Sequence, residues 1–111
     1  MSHQLPDAAW RQIDALLRAT PGVERAVVFG SRALGSARKG SDIDIAVWGA
    51  LSQRQLAALL GALEALPLPW RFDLVHVDDL RDEGVAEHIA RFGKPIASLL
   101  PPTNPPNEAL R

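Results

Sequence analysis

The sequence predicts a two-layer α/β (α+β) domain: a small mixed β-sheet with helices packed on one face and carboxylates on the other. Three observations carry that expectation. Short apolar runs of strand length alternate with longer stretches of helical spacing along the chain. The 111 residues, 47% of them hydrophobic, suffice for one small domain with a real core, and no internal repeat suggests a second. In the second apolar run the alternation of side chains puts Asp42 and Asp44 on one face and Ile43, Ile45 and Val47 on the other.

Residues 7–19 read as the first helix. Pro6 and Asp7 suit its start, Trp10, Ile13, Leu16 and Leu17 form its apolar stripe, and Thr20, Pro21 and Gly22 end it. Residues 24–29 read as the first strand. A helical turn follows at 31–34, then a loop at 35–41 rich in small and basic residues. Residues 42–48 are the second strand. Ser52 suits the N-cap of a helix over 53–66, with Leu56, Leu59, Leu60 and Leu63 as its buried stripe and Gly61 as a mild cost within it. Pro67 and Pro69 stop that helix. Residues 71–77 are the third strand, with Phe72 and Leu74 facing one way and Arg71, Asp73 and Val75 the other. After a turn at 78–81, residues 83–92 read as the last helix, with Val85, His88, Ile89 and Phe92 on its apolar side and Gly93 as its C-cap. The apolar stretch 96–100 is expected to dock or to pair as a short strand. Residues 1–100 therefore read as the domain. Residues 101–111, with four prolines and no periodicity, read as a flexible tail.

Composition excludes several classes. Twelve basic and 13 acidic side chains leave a formal net charge of -1, which argues against non-specific binding to nucleic acid. The chain has no cysteine, hence no disulfide framework and no thiolate metal site. The N-terminus lacks the apolar core of a signal peptide, and no apolar run approaches membrane-spanning length, so a soluble cytoplasmic protein is expected.

The stretch from Val27 to Val47 carries the chemistry. A strand breaks at Gly30-Ser31, where the chain can turn tightly and bring backbone close to a ligand. The short helical turn that follows starts with unpartnered N–H groups, an arrangement suited to a phosphate. Asp42 and Asp44 then interrupt an otherwise apolar strand, where carboxylates are poor strand formers, and Asp73 interrupts the third strand in the same way. Three carboxylates converging beside a phosphate site repel one another. At ~4 Å and an effective dielectric of ~20, one pair costs roughly 4 kcal/mol. Divalent cations relieve that repulsion, and hard oxygen ligands suit Mg2+ or Mn2+. A phosphate-binding turn with three carboxylates is the equipment of two-metal phosphoryl or nucleotidyl transfer.

Blander readings exist for each residue. Gly30-Ser31 alone is also an ordinary strand-to-helix turn. Asp42 also suits an N-cap or an edge-strand solubility device, and Asp73 an exposed position on an open sheet face. Arg38 and Lys39 read as a solvated loop, and His76 and His88 as structural. Trp10, Trp48 and Trp70 read mostly as packing, with Trp48 on the carboxylate face.

Gly30-Ser31, ten intervening residues, then Asp42-Ile43-Asp44 resembles the signature of the DNA polymerase β-like nucleotidyltransferase superfamily. The fuller pattern F-G-S-R-A-x-G followed by S-D-I-D is similar to that of the minimal nucleotidyltransferases (MNT), nucleotidyltransferase cores typically encoded beside a HEPN-domain protein as the antitoxin of a toxin–antitoxin pair. The resemblance runs from the first helix to about Leu100. It implies a nucleotidyltransferase fold, with Gly30 and Ser31 contacting nucleotide phosphates and Arg32 assisting them or meeting a partner. It implies Asp42, Asp44 and Asp73 as catalytic residues and ligands of two Mg2+ ions (or Mn2+), with Asp73 activating the incoming hydroxyl. The implied reaction transfers AMP from ATP to a tyrosine hydroxyl of a HEPN toxin. A non-catalytic antitoxin that neutralises its partner by binding is the alternative. No membrane and no direct nucleic-acid partner is expected.

Overall fold

The computed structural model describes residues 5–100, and the expected tail, 101–111, lies outside the described residues. Its elements are helix α1 (Asp7–Ala19), strand β1 (Arg25–Phe29), the short helix α2 (Gly30–Leu34), strand β2 (Ile43–Trp48), helix α3 (Gln53–Glu64), strand β3 (Phe72–His76), helix α4 (Glu83–Phe92) and the two-residue strand β4 (Lys94–Pro95). A 3-10 turn at Val77–Asp79 precedes α4, and a second at Ile96–Leu99 follows β4.

Among the described residues one four-stranded sheet forms, in the order β3-β2-β1-β4. Strand β1 runs antiparallel to β2, with Val28 opposite Ile45 and Phe29 opposite Asp44. Strand β3 runs parallel to β2, with Asp44 beside Asp73. The parallel pair is joined through α3, as the connection between parallel strands requires. The sheet is therefore mixed, as the sequence predicts.

Alternation along the strands sends side chains into two cores. Val28, Ile43, Ile45 and Val47 meet Ala9, Trp10, Ile13 and Leu17 of α1 and Leu59 and Leu63 of α3. Ile96 closes the same core, so the stretch after α4 docks as a 3-10 turn, and the short pairing strand falls just before it, at β4. On the opposite face Val27, Phe29 and Ala46 pack on Ile89 of α4, with Trp48, Val75 and Val85 around them. Helices α1 and α3 thus share one face as expected, and α4 is added to the other, the carboxylate face. Periodicity gives α4 an apolar stripe of Val85 and Ile89 but does not say which side of the sheet receives it.

The caps follow local chemistry. Ser52 and Gln55 form a capping box: the Gln55 N–H donates to Ser52 Oγ at 3.1 Å and the Ser52 N–H to Gln55 Oε1 at 2.8 Å. Asp82 Oδ1 accepts from the Val85 N–H at 3.1 Å at the start of α4. Gly93 caps that helix with a φ of -62°, so handedness does not select it. A Cβ there would press on Val27 at 2.8 Å, and glycine lets α4 approach β1.

Element ends shift slightly from the expectations. Strand β2 starts at Ile43, whose N–H donates to the Arg71 carbonyl at 2.9 Å, so Asp42 precedes the strand. Helix α3 stops at Glu64, two residues before the expected end and three before Pro67. Strand β3 ends at His76, and Val77 begins the 3-10 turn.

Candidate active site

The antiparallel register places the end of β1 directly beside Asp44, and the chain turns there. Gly30 adopts φ 70°, a left-handed conformation that disfavours any side chain. A Cβ on Gly30 would collide with the Asp44 carboxylate. The turn glycine is therefore required twice, by its backbone angle and by the carboxylate against which it rests. Ser31 follows half-buried at the start of α2.

The parallel register sets Asp73 next to Asp44 on the same face. Asp42, two residues before Asp44, is exposed, as is Asp73, while Asp44 is half-buried. The Asp44 carboxyl is pushed up from 3.8 to about 6, first by burial, then by the charges of Asp73 and Asp42, while His88 pulls it down. All three aspartates thus act on one locus electrostatically. Among the described residues, however, no group of three or more His, Cys, Asp or Glu side chains is set to hold a metal ion. The backbone register sets Asp44 beside Asp73, with Asp42 two residues before Asp44.

Arg32, the residue after the motif serine, lies against the loop that leads to Asp42. Its side chain is buried, with 5% of the residue exposed. Nη2 donates to the Ser41 carbonyl at 2.8 Å and the Lys39 carbonyl at 3.4 Å. Its guanidinium also lies 5.8 Å from the centre of the Trp70 ring, whose Nε1–H donates to the Lys39 carbonyl at 3.3 Å. Arg32 therefore braces the loop that delivers Asp42. Arg38 and Lys39 are exposed on that loop, in keeping with a solvated role. Trp48 packs in the α4-side core with the Arg25 guanidinium 4.5 Å from its ring centre.

His88 is the residue that sequence reading missed at this site. The spacing of α4 marks it as one more member of an apolar stripe. In the fold its Nε2 lies 3.3 Å from the Gly30 N–H, which donates to it. Its ring meets Phe29 edge-on with centroids 6.2 Å apart, and Phe92 at 5.2 Å. No local signal reveals this, because the partners are 58 positions apart. His76, read as structural, is structural. Its Nδ1 pairs with Asp79 Oδ2 and its Nε2 with the Gly49 carbonyl, both at 2.7 Å.

Comparison with known proteins places this arrangement. A family model described as polymerase β, nucleotidyltransferase matches residues 11–99. No curated protein matches the sequence. Among solved structures, a toxin–antitoxin complex with AMP-PNP is 30% identical over 78% of this chain and 71% of that chain, with a TM-score of 0.67. A minimal nucleotidyltransferase is 32% identical over 82% of this chain and 96% of that one, also at a TM-score of 0.67. A complex of tri-AMPylated Shewanella oneidensis HEPN toxin with MNT antitoxin is 27% identical over 80% of this chain and 69% of that one, with a TM-score of 0.61. Since the match spans both motif strands and the third-strand aspartate beside them, the chain belongs to the polymerase β nucleotidyltransferase family and is a minimal nucleotidyltransferase.

Proposed function

We propose that this protein transfers AMP from ATP to a hydroxyl of a partner protein, a tyrosine of a HEPN toxin, and thereby acts as its antitoxin. The observation that carries the reading is the register: Gly30 rests on Asp44, and Asp44 stands beside Asp73. Support for the nucleotide and the partner comes from the similar complexes, one with AMP-PNP and one with an AMPylated HEPN toxin. Among the described residues no helix is long and apolar enough to cross a membrane. The proposed setting is the cytoplasm, alongside ATP.

Gly30 and Ser31 contact the phosphates of the triphosphate in this reading. Arg32 acts through the loop that carries Asp42. The acceptor O–H breaks and its proton passes to Asp73. The hydroxyl oxygen forms a bond to the α-phosphorus, the bond from that phosphorus to the bridging oxygen breaks, and pyrophosphate leaves. The residues fit divalent cations: the donors are hard carboxylate oxygens, and like charge already acts on Asp44. Asp42, Asp44 and Asp73 would hold two Mg2+ or Mn2+ ions, which when bound lower the pKa of the hydroxyl and steady the leaving oxygens.

The test compares wild type with Asp42→Asn/Asp44→Asn, each co-expressed with the neighbouring gene product, the proposed HEPN-domain partner. Mass spectrometry is expected to find AMP on a partner tyrosine with the wild type alone, and only the wild type relieves toxicity. Equal relief by the double variant without an adduct would replace the enzymatic reading with neutralisation by binding.

A further inference from the structure

We infer that His88 is a positioning residue for nucleotidyl transfer: from α4 it holds the Gly30 peptide against Asp44 and so fixes the direction in which Ser31 faces the substrate. The inference rests on the proposed transfer reaction. Four contacts define the role. Gly30 leaves the sheet at the end of β1, and its N–H finds its acceptor in His88 Nε2 at 3.3 Å. At its side-chain position Gly30 lies so close to the Asp44 carboxylate that no Cβ fits between them. The imidazole is itself held between Phe29 and Phe92. The motif glycine is thus clamped between a strand carboxylate and a ring from the last helix.

The clamp has a defined chemistry. For Nε2 to accept, the proton of the neutral ring sits on Nδ1. A half-buried backbone N–H needs an acceptor, and the ring nitrogen supplies it. The Gly30 N–H belongs to the Phe29–Gly30 peptide, so holding it fixes the plane from which Gly30, at φ 70°, carries the chain into Ser31. A packing role and a positioning role make opposite demands here. Packing between Phe29 and Phe92 needs an aromatic ring and no acceptor. Holding Gly30 needs an acceptor and no ring.

Two substitutions separate them. His88→Phe keeps a ring and removes the acceptor; His88→Gln keeps an acceptor at similar reach and removes the ring. The full chain with its co-expressed partner is assayed for AMP transfer over a range of ATP. Hydrogen exchange at the Gly30 amide and ATP affinity in magnesium are measured on the same proteins. Loss of one hydrogen bond is expected to lower kcat/KM for His88→Phe by roughly 3- to 10-fold, through KM for ATP. Exchange at Gly30 accelerates, and the melting temperature falls by no more than the few degrees that one lost hydrogen bond accounts for. His88→Gln is expected to stay within about twofold of wild type in transfer, the range in which a retained hydrogen bond leaves affinity. A His88→Phe protein equal to wild type, or parallel losses of stability and transfer in both variants, leaves His88 a packing residue and overturns the inference. If wild type itself transfers nothing, the proposed function fails. The amide exchange and ATP affinity then judge His88 separately: the same order of variants supports the clamp, and indifference of both overturns it.

Discussion

Asp44 stands where burial and like charge act in the same direction. Its carboxyl is raised from 3.8 to about 6, with burial the larger cause and Asp73 and Asp42 adding to it. The fold disfavours the charged form. The penalty is therefore absent below the ordinary carboxylate value, grows as pH rises from 3.8 through about 6, and is complete above that. Asp44→Asn removes the charge with little change in volume. It is expected to melt above wild type at neutral pH and together with it near the lower value. Discounted for the water that reaches the group, the difference is ~1 kcal/mol, or about 4–8 °C in melting temperature. Magnesium is expected to raise the wild type and not the variant at neutral pH, because a cation between the carboxylates removes the repulsion. Thermal melts across pH, with and without magnesium, check both statements. A wild type indifferent to magnesium contradicts the second.

At the scale of elements, the 3-10 turn after β3 is tied to the β2–α3 connection by one imidazole. His76 joins Asp79 on one side and the Gly49 carbonyl on the other, and the Gly49 N–H donates to Asp78 Oδ1 at 3.1 Å. The His76 pKa is raised above 6.5, first by its bond to the Gly49 carbonyl and then by Asp79 and Asp78, against an opposing effect of burial. The doubly donating imidazolium is the form this pairing favours. Its contribution to stability is complete below the ordinary histidine value and is lost as pH rises through the higher folded value. His76→Gln is expected to abolish that dependence. Urea unfolding at several pH values above 6.5 should show wild type weakening and the variant level. A variant that weakens in parallel with wild type would assign the dependence to another group.

At the scale of the molecule, the two faces of the sheet do different work. The α1–α3 face holds Ile13, Ile43, Ile45, Val47 and Leu63, all at 0% exposure, and supplies most of the apolar burial. The α4 face has a smaller core of Val27, Phe29, Ala46 and Ile89, and it also carries Asp44 and Asp73. Stability and chemistry are therefore separable. Leu63→Ala is expected to cost about 2–5 kcal/mol through the cavity it leaves. AMP transfer per folded molecule should stay unchanged, because the core in which Leu63 packs lies across the sheet from the carboxylates. Chemical denaturation combined with transfer assays on the folded fraction checks this. A large loss of transfer in fully folded Leu63→Ala would show that the faces are coupled.

By itself, the sequence determined the features that local periodicity and local chemistry set. The stripe of Trp10, Ile13 and Leu17 defines α1, Ser52 starts α3, and the alternation of Asp42 and Asp44 with Ile43 and Ile45 separates a wet face from a dry one. The spacing of Gly30-Ser31 and Asp42-Ile43-Asp44 pointed to the family, because the family's chemistry needs that turn and those carboxylates close together. Only the tertiary structure decided which elements meet across long separations. It set Asp73 beside Asp44 through the parallel register. It brought α4 to the carboxylate face and His88 to the Gly30 amide. It also turned Arg32 onto the carbonyls of the loop that leads to Asp42. The physical reason is that periodicity reports how one element divides its side chains between dry and wet sides. The partner of a polar atom is chosen by the packing of distant elements, which leaves no local pattern in the chain.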